Sequence, residues 1–176
     1  MVKSRVRENM KKLVFDIVEN SKVNCFEFNR TALNPVKHLK ELTKLVPNVA
    51  GLYLVFCRED KLIDIEDHLN FVINNENYVL TYFGKAGGVT KDGRILKQGL
   101  NGRINNVVSD SHRNLKDIKR ATYWNLVMTE FNIDSFYVIY KLDDNPQFME
   151  ECIYSFLDDN NLGYPIMNKK RGRIKK

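Results

Sequence analysis

Residues 52–57 and 77–84 are dense in branched and aromatic side chains and bounded by turn-forming sequence, and these two runs constrain the fold more tightly than any other feature. Each reads as a strand, and the two suit an antiparallel hairpin. Their connection, residues 58–76, is too long for a turn and too apolar for a bare loop, because Ile63, Ile65, Leu69, Phe71, Val72 and Ile73 all need burial. It reads as an inserted helix or a small excursion of the chain. Residues 136–140 supply a third strand, and residues 23–28 a short strand or loop.

Helical periodicity accounts for much of the remainder. Val6, Met10, Leu13, Val14, Ile17 and Val18 form an apolar stripe over residues 4–22 with Arg5, Arg7, Lys11 and Lys12 opposite, so this helix covers either the domain core or a second subunit. Asn34-Pro35 starts a helix through Leu39, Leu42 and Leu45 that stops before Pro47. Residues 97–108 and 116–124 are predicted helical, with a polar break at residues 109–112. Asp92-Gly93 marks a tight turn inside a second insertion, residues 89–95. Asn145 caps, and Pro146 opens, a helix that carries Glu150. The expected class is α+β, a small mixed or antiparallel sheet flanked by helices. Residues 1–46 form an amino-terminal helical extension, 47–168 the main domain and 169–176 a basic tail.

A chain of 176 residues with 43% hydrophobic content suits one domain with a single core. No apolar run approaches the roughly 18–20 residues needed to cross a bilayer, and the amino terminus lacks a signal-peptide apolar stretch, so a soluble cytoplasmic protein with no membrane partner is expected. Cys25, Cys57 and Cys152 show neither CxxC spacing nor an even count and sit among apolar residues; they read as buried thiols rather than zinc ligands or disulfides. His38 and His68 have no plausible ligand partners and read as surface or helix residues. The net charge of +6 is concentrated in the tail, where Lys169, Lys170, Arg171, Arg173, Lys175 and Lys176 meet no acid. Such a tail is either a phosphate-binding arm or a solubilising end.

Gly51-Leu52-Tyr53, Tyr82-Phe83-Gly84, the run Gly99-Leu100-Asn101-Gly102-Arg103, Glu150 and Pro165-Ile166-Met167-Asn168 occur in that order. The arrangement resembles the GIY-YIG nucleases, and the glycine-arginine run resembles the helix of the restriction-endonuclease branch. The resemblance implies that Tyr53 and Tyr82 project from neighbouring strands, one acting on the attacking water and the other holding the site. It implies that Arg103 binds phosphate through its planar fork and that Glu150 holds Mg²⁺, with Mn²⁺ a possible substitute. Asn168 would be a hydrogen-bonding support. A tyrosine with its ordinary pKa of about 10 is a poor base, so nearby positive charge must draw its proton away, and Lys85 is close enough in sequence to do so.

Glu151 competes with Glu150 for the metal, and helical geometry separates them. If Phe148, Met149, Cys152, Ile153, Phe156 and Leu157 form the buried arc, Glu150 lies about 110° from its centre and Glu151 about 150°. Glu150 is therefore the expected ligand.

Two features depart from the family pattern. The position one turn after Arg103, often histidine or tyrosine in the family, is Val107, and the spacing from Glu150 to Pro165 is long. Lys85 could take over part of the proton chemistry, or His112 or Asn106 could reach in from farther along.

The expected activity is Mg²⁺-dependent, site-specific cleavage of double-stranded DNA leaving 5′-phosphate and 3′-hydroxyl ends, by a homodimer on a symmetric target. Lys91, Arg94, Asn106, His112, Arg113, Lys169, Lys170, Arg171 and Arg173 are the candidate DNA contacts. The alternatives are a phage or mobile-element nuclease of looser specificity and a DNA-binding module without catalysis.

Overall fold

The structure is a computed structural model, and it describes residues 24–30, 44–62, 69–89, 93–94, 96–108, 124–159 and 161–168. The expected helix over residues 4–22, most of the helix after Asn34-Pro35, residues 109–123 and the tail lie outside the described residues.

Five strands form one antiparallel sheet: β1 (Asn24–Asn29), β2 (Gly51–Arg58), β3 (Asn70–Ile73), β4 (Glu76–Ala86) and β5 (Ser135–Leu142), in the spatial order β1-β5-β2-β4-β3. The fold is α+β, with α1 (Leu100–Val108), α2 (Trp124–Glu130) and α3 (Pro146–Asp159) packed against it. Every residue of β2 but the last is buried, as expected of a central strand covered on both faces.

Strand alternation divides the core between the two faces. On one face Phe28, Tyr53, Val55, Tyr82, Phe136 and Val138 pack with Leu100 and Ile104 of α1 and with Trp124 and Met128 of α2. On the other, Leu52, Leu54, Phe56, Phe83 and Ile139 pack with Ile153, Tyr154 and Leu157 of α3.

Two expectations change. The excursion between the first two strand runs contains β3, which turns into β4 through Asn74 and Asn75, both at positive φ (51° and 64°), the backbone of a tight two-residue hairpin. Residues 24–29 also belong to the sheet rather than to an appended segment, since Phe26 and Phe28 are buried in the core. Their alternation turns Cys25 outward, so this thiol is exposed, while Cys57 is buried and its thiol is pushed up to about 12 by burial.

β2 and β4 run in register from Gly51↔Ala86 to Val55↔Tyr82, and then shift by one residue so that Phe56 faces Leu80. Thr81 is the extra residue of this bulge, and its hydroxyl donates to the Val55 carbonyl at 2.8 Å. The insertion reverses the phase of β4, so that Leu80 and Tyr82, two apart in sequence, point to opposite faces.

Gly51 sets how closely α1 can approach. A Cβ there would collide with the Lys141 carbonyl oxygen and lie 2.6 Å from Leu100 Cδ1. Gly51→Ala is expected to destabilise the fold by about 2–4 kcal/mol, because a backbone oxygen cannot yield. Urea denaturation measures this, and a loss under about 0.5 kcal/mol, the range of ordinary surface substitutions, would show that the sheet–helix contact relaxes freely.

Candidate active site

Two adjacent strands bring the paired tyrosines together. Tyr53 lies opposite Gly84, and the rings of Tyr53 and Tyr82 pack with centroids 5.7 Å apart. Gly84 is what makes room for them, since a Cβ there would fall 2.8 Å from Tyr82 Oη and 2.9 Å from Tyr53 Oη.

Arg103 reaches the same place from α1, whose start is tied down by residues 46–49. The N–H groups of Leu100 and Asn101 donate to the carbonyls of Val49 (2.8 Å) and Pro47 (3.2 Å), and that of Gly102 to Asn48 Oδ1 at 3.3 Å. Asn101 Nδ2 donates to the Val46 carbonyl at 3.0 Å. These bonds take up donors that a helix start otherwise leaves unpaired. Gly99 permits the approach, because a Cβ there would lie 2.6 Å from the Val49 nitrogen. At Gly102 the nearest atom is a flexible Gln98 side chain at 3.3 Å, so only the first glycine of the run marks a close backbone approach.

The electrostatics of this group differ from the sequence expectation. Burial pushes the Tyr53 phenol well above its ordinary pKa, the neighbouring Tyr82 adds to this, and Arg103 offsets only part of it. Tyr82 is also raised, again by burial first, with Tyr53 and Arg103 pulling down and Glu150 pushing up. Burial works against the Arg103 charge, but the two phenols outweigh it and hold the guanidinium above its usual value. In this state, then, desolvation outweighs the positive charge expected to draw the proton away.

Tyr53 Oη and Arg103 Nε are buried without a well-formed hydrogen bond, although the Tyr53, Tyr82 and Arg103 side chains lie close enough to interact with one another. An unsatisfied buried atom of this kind costs about 1–3 kcal/mol, and Asn70 Oδ1 and Trp124 Nε1, outside this group, share the condition.

Lys85 takes a different role from the one expected. It follows Gly84 on β4 and so points to the face covered by α3, where its Nζ lies 3.4 Å from Glu150 Oε2. Burial raises the Glu150 carboxyl, while Lys85 and Arg103 pull it down and Glu151 pushes it up. The tyrosines with Arg103 and the Lys85–Glu150 pair thus lie on opposite faces of β4, within electrostatic reach of each other.

The helix start that presents Glu150 is as expected. Asn145 Oδ1 accepts from the Phe148 N–H at 3.3 Å, and Pro146 occupies the first position. The buried arc, however, is rotated. Phe148 is 61% exposed, and the buried residues are Pro146, Ile153, Tyr154 and Leu157. Glu150 lies about 20° from the centre of that arc and Glu151 about 120°. Glu150 still faces inward, more directly than expected, while Glu151 accepts from Gln147 Nε2 at 3.1 Å.

Asn168 is buried and acts as a surrogate peptide on the edge of β4. Its Oδ1 accepts from the Phe83 N–H and its Nδ2 donates to the Phe83 carbonyl, both at 2.9 Å. Nδ2 also donates to Tyr154 Oη at 3.2 Å, and the Met167 N–H to the Thr81 carbonyl at 2.9 Å. The residue so clamped lies between Tyr82 and Gly84. Thr81, Asn48 and Tyr154 are contributors that sequence reasoning passed over; of these only Tyr154, one helical turn after Glu150, left a readable signal.

Among the described residues no three His, Cys, Asp or Glu side chains gather into a group that could hold a metal ion. The single half-buried carboxylate of Glu150 fits a cation such as Mg²⁺, which keeps several waters and takes other oxygens from substrate phosphate, and does not fit a site closed by protein ligands.

Arg94 is exposed beside Gly93, whose φ of +79° fits the expected turn. Asn106 and Val107 lie in α1, but their side chains are outside the described residues, as are Lys91, His112, Arg113, Lys169, Lys170, Arg171 and Arg173 altogether. No helix among the described residues is long and apolar enough to cross a membrane. No family model, curated protein or solved structure matches the chain.

If Asn168 supports the strand rather than touching substrate, Asn168→Ala should destabilise the protein by about 2–4 kcal/mol, because two buried backbone groups of Phe83 lose their partners. Urea unfolding measures the loss. Unchanged stability would remove the clamp.

Proposed function

We propose that this chain is a Mg²⁺-dependent endodeoxyribonuclease of the GIY-YIG type, cleaving double-stranded DNA at a specific site in the manner of a small restriction enzyme. The observation that carries the reading is the meeting of Tyr53 and Tyr82 over Gly84 with Arg103 beside them, and the lack of a well-formed hydrogen bond at Tyr53 Oη and Arg103 Nε. A phosphodiester with its attacking water would supply both missing partners: the phosphate to Arg103 Nε, the water to Tyr53 Oη.

Each residue then has one task. Tyr53 would first give up its own proton to solvent, a loss favoured by the Arg103 charge and by a cation held at Glu150, and the resulting phenolate would then take the proton of the water; Tyr82, packed against it, fixes its position. Arg103, permanently charged, holds a non-bridging phosphate oxygen and meets charge developing there. Glu150 is the anchor for Mg²⁺, or Mn²⁺ in its place, which when bound supplies further positive charge to the phosphate. Asn168 keeps the Tyr82–Gly84 backbone in place. Arg94, with Lys91, Asn106, His112, Arg113 and the tail cations, would hold DNA phosphates or read base edges, and a dimer would match a symmetric target.

The complete burial of Tyr53 favours a second reading, a DNA-binding module without catalysis. Incubating a supercoiled plasmid with Mg²⁺ or with EDTA separates the two. Discrete metal-dependent fragments support the specific nuclease, and intact plasmid under both conditions supports the binding module. A smear would indicate a nuclease of looser specificity.

Glu150→Gln is expected to abolish metal-dependent cleavage while DNA binding persists, whereas Glu151→Gln retains activity; the reverse result would move the metal ligand. Tyr53→Phe and Arg103→Ala should each lower the single-turnover rate by about 10²-fold or more with folding preserved. Near-native rates in both would remove the nuclease reading.

Ending the chain after Asn168 removes six positive charges and should weaken binding to all DNA sequences alike, with a shallower dependence of log affinity on log salt. Fluorescence anisotropy at several salt concentrations measures the slope, and an unchanged slope would show that the tail makes no phosphate contact.

A further inference from the structure

Lys85 and Glu150 are brought together by separate elements, β4 and α3, and the side chains of both are largely withdrawn from water, with exposures of 21% and 18%. The ammonium lies 3.4 Å from Glu150 Oε2, an oxygen that a metal ion would need. A divalent cation approaching that carboxylate meets a fixed positive charge on its ligand, and in this partly dehydrated setting the repulsion is weakly screened. Lysine carries its charge on a flexible four-carbon stem and can move without disturbing the strand that bears it. A phosphate group near the site offers that ammonium another acceptor.

We propose that Lys85 is an internal counter-ion that occupies Glu150 in the DNA-free protein and is drawn off by a substrate phosphate, so that divalent metal and DNA bind cooperatively. The proposal rests on the reading of Glu150 as the metal ligand. DNA that removes Lys85 from Glu150 raises the affinity for metal, and by linkage metal raises the affinity for DNA by the same factor. The protein would bind metal weakly until DNA is present, which confines the assembled site to the complex.

The test is the affinity of the full chain for Mn²⁺ without DNA, followed by the paramagnetic resonance of free Mn²⁺ at pH 8, where protons compete least for the carboxylate. Lys85→Met is expected to bind Mn²⁺ about 10-fold more tightly than the wild type, within the usual span of such couplings, and Lys85→Arg, which keeps the charge, as weakly as the wild type. Lys85→Gln is a second charge-removing variant, and far-UV circular dichroism establishes which variants are folded.

In a second measurement, Ca²⁺ as a divalent probe should tighten binding of a fluorescent mixed-sequence duplex to the wild type, and tighten it less for Lys85→Met. Equal or weaker Mn²⁺ binding by the folded charge-removing variants would overturn the proposal. Mn²⁺ binding by Glu150→Gln as strong as the wild type's would overturn it at its premise, by showing that the metal sits elsewhere.

Discussion

The one-residue bulge between β2 and β4 is the constraint on which the rest of the site depends. Without Thr81 as an extra residue, Tyr82 would share a face with Leu80 and lie away from Tyr53. The bulge holds because its hydroxyl is satisfied by the Val55 carbonyl and because the next residues of β4 are gripped from the edge, Thr81 by Met167 and Phe83 by Asn168. Gly84 then completes the arrangement by leaving space for two phenol groups where any side chain would collide. The motif Tyr82-Phe83-Gly84 is therefore three tasks in sequence: a ring for the site, an anchor in the opposite core and a vacancy.

Burial dominates the electrostatics of that space. Tyr53, Tyr82 and Arg103 influence one another strongly, yet desolvation is the first influence on all three, and it keeps both phenols protonated beyond their ordinary range. A site arranged in this way does not hold a phenolate at rest. Only further positive charge could change that balance, since Arg103 already lowers the Tyr53 phenol and burial still outweighs it.

Much of the frame was legible in the sequence because it rests on local rules. The branched and aromatic runs became β2, β4 and β5, Asn145-Pro146 became the start of α3, and the α+β class followed from their order. What was not legible depends on contacts between distant residues. The Asn74-Asn75 hairpin is not legible because its signal is the positive φ of two asparagines, which apolar residues on either side do not report. The buried arc of α3 differs from the apolar pattern because Phe148, near the helix start, is exposed while Tyr154 takes an inward position. Lys85 is close to the tyrosines in sequence, but alternation turns it to the opposite face. Sequence adjacency in a strand is separation in space.

The lengths of the strands decide how far the two faces of β4 are kept apart at its outer edge. β4 has eleven residues and β3 four, so β3 pairs only with residues 76–79 and ends before the tyrosine is reached. Beyond that point the outer edge of β4 is held by Leu69, Met167 and the Asn168 side chain, which bond its backbone without adding a full strand. A longer β3 would pair with residues 82–86 and cover that edge. Replacing it with an amide side chain supplies the hydrogen bonds of a neighbouring strand while leaving less bulk along the edge, and Tyr82 and Glu150 sense each other there. The short third strand and the buried asparagine thus have the same result: an edge of β4 that is satisfied in its hydrogen bonding without being covered by a full strand.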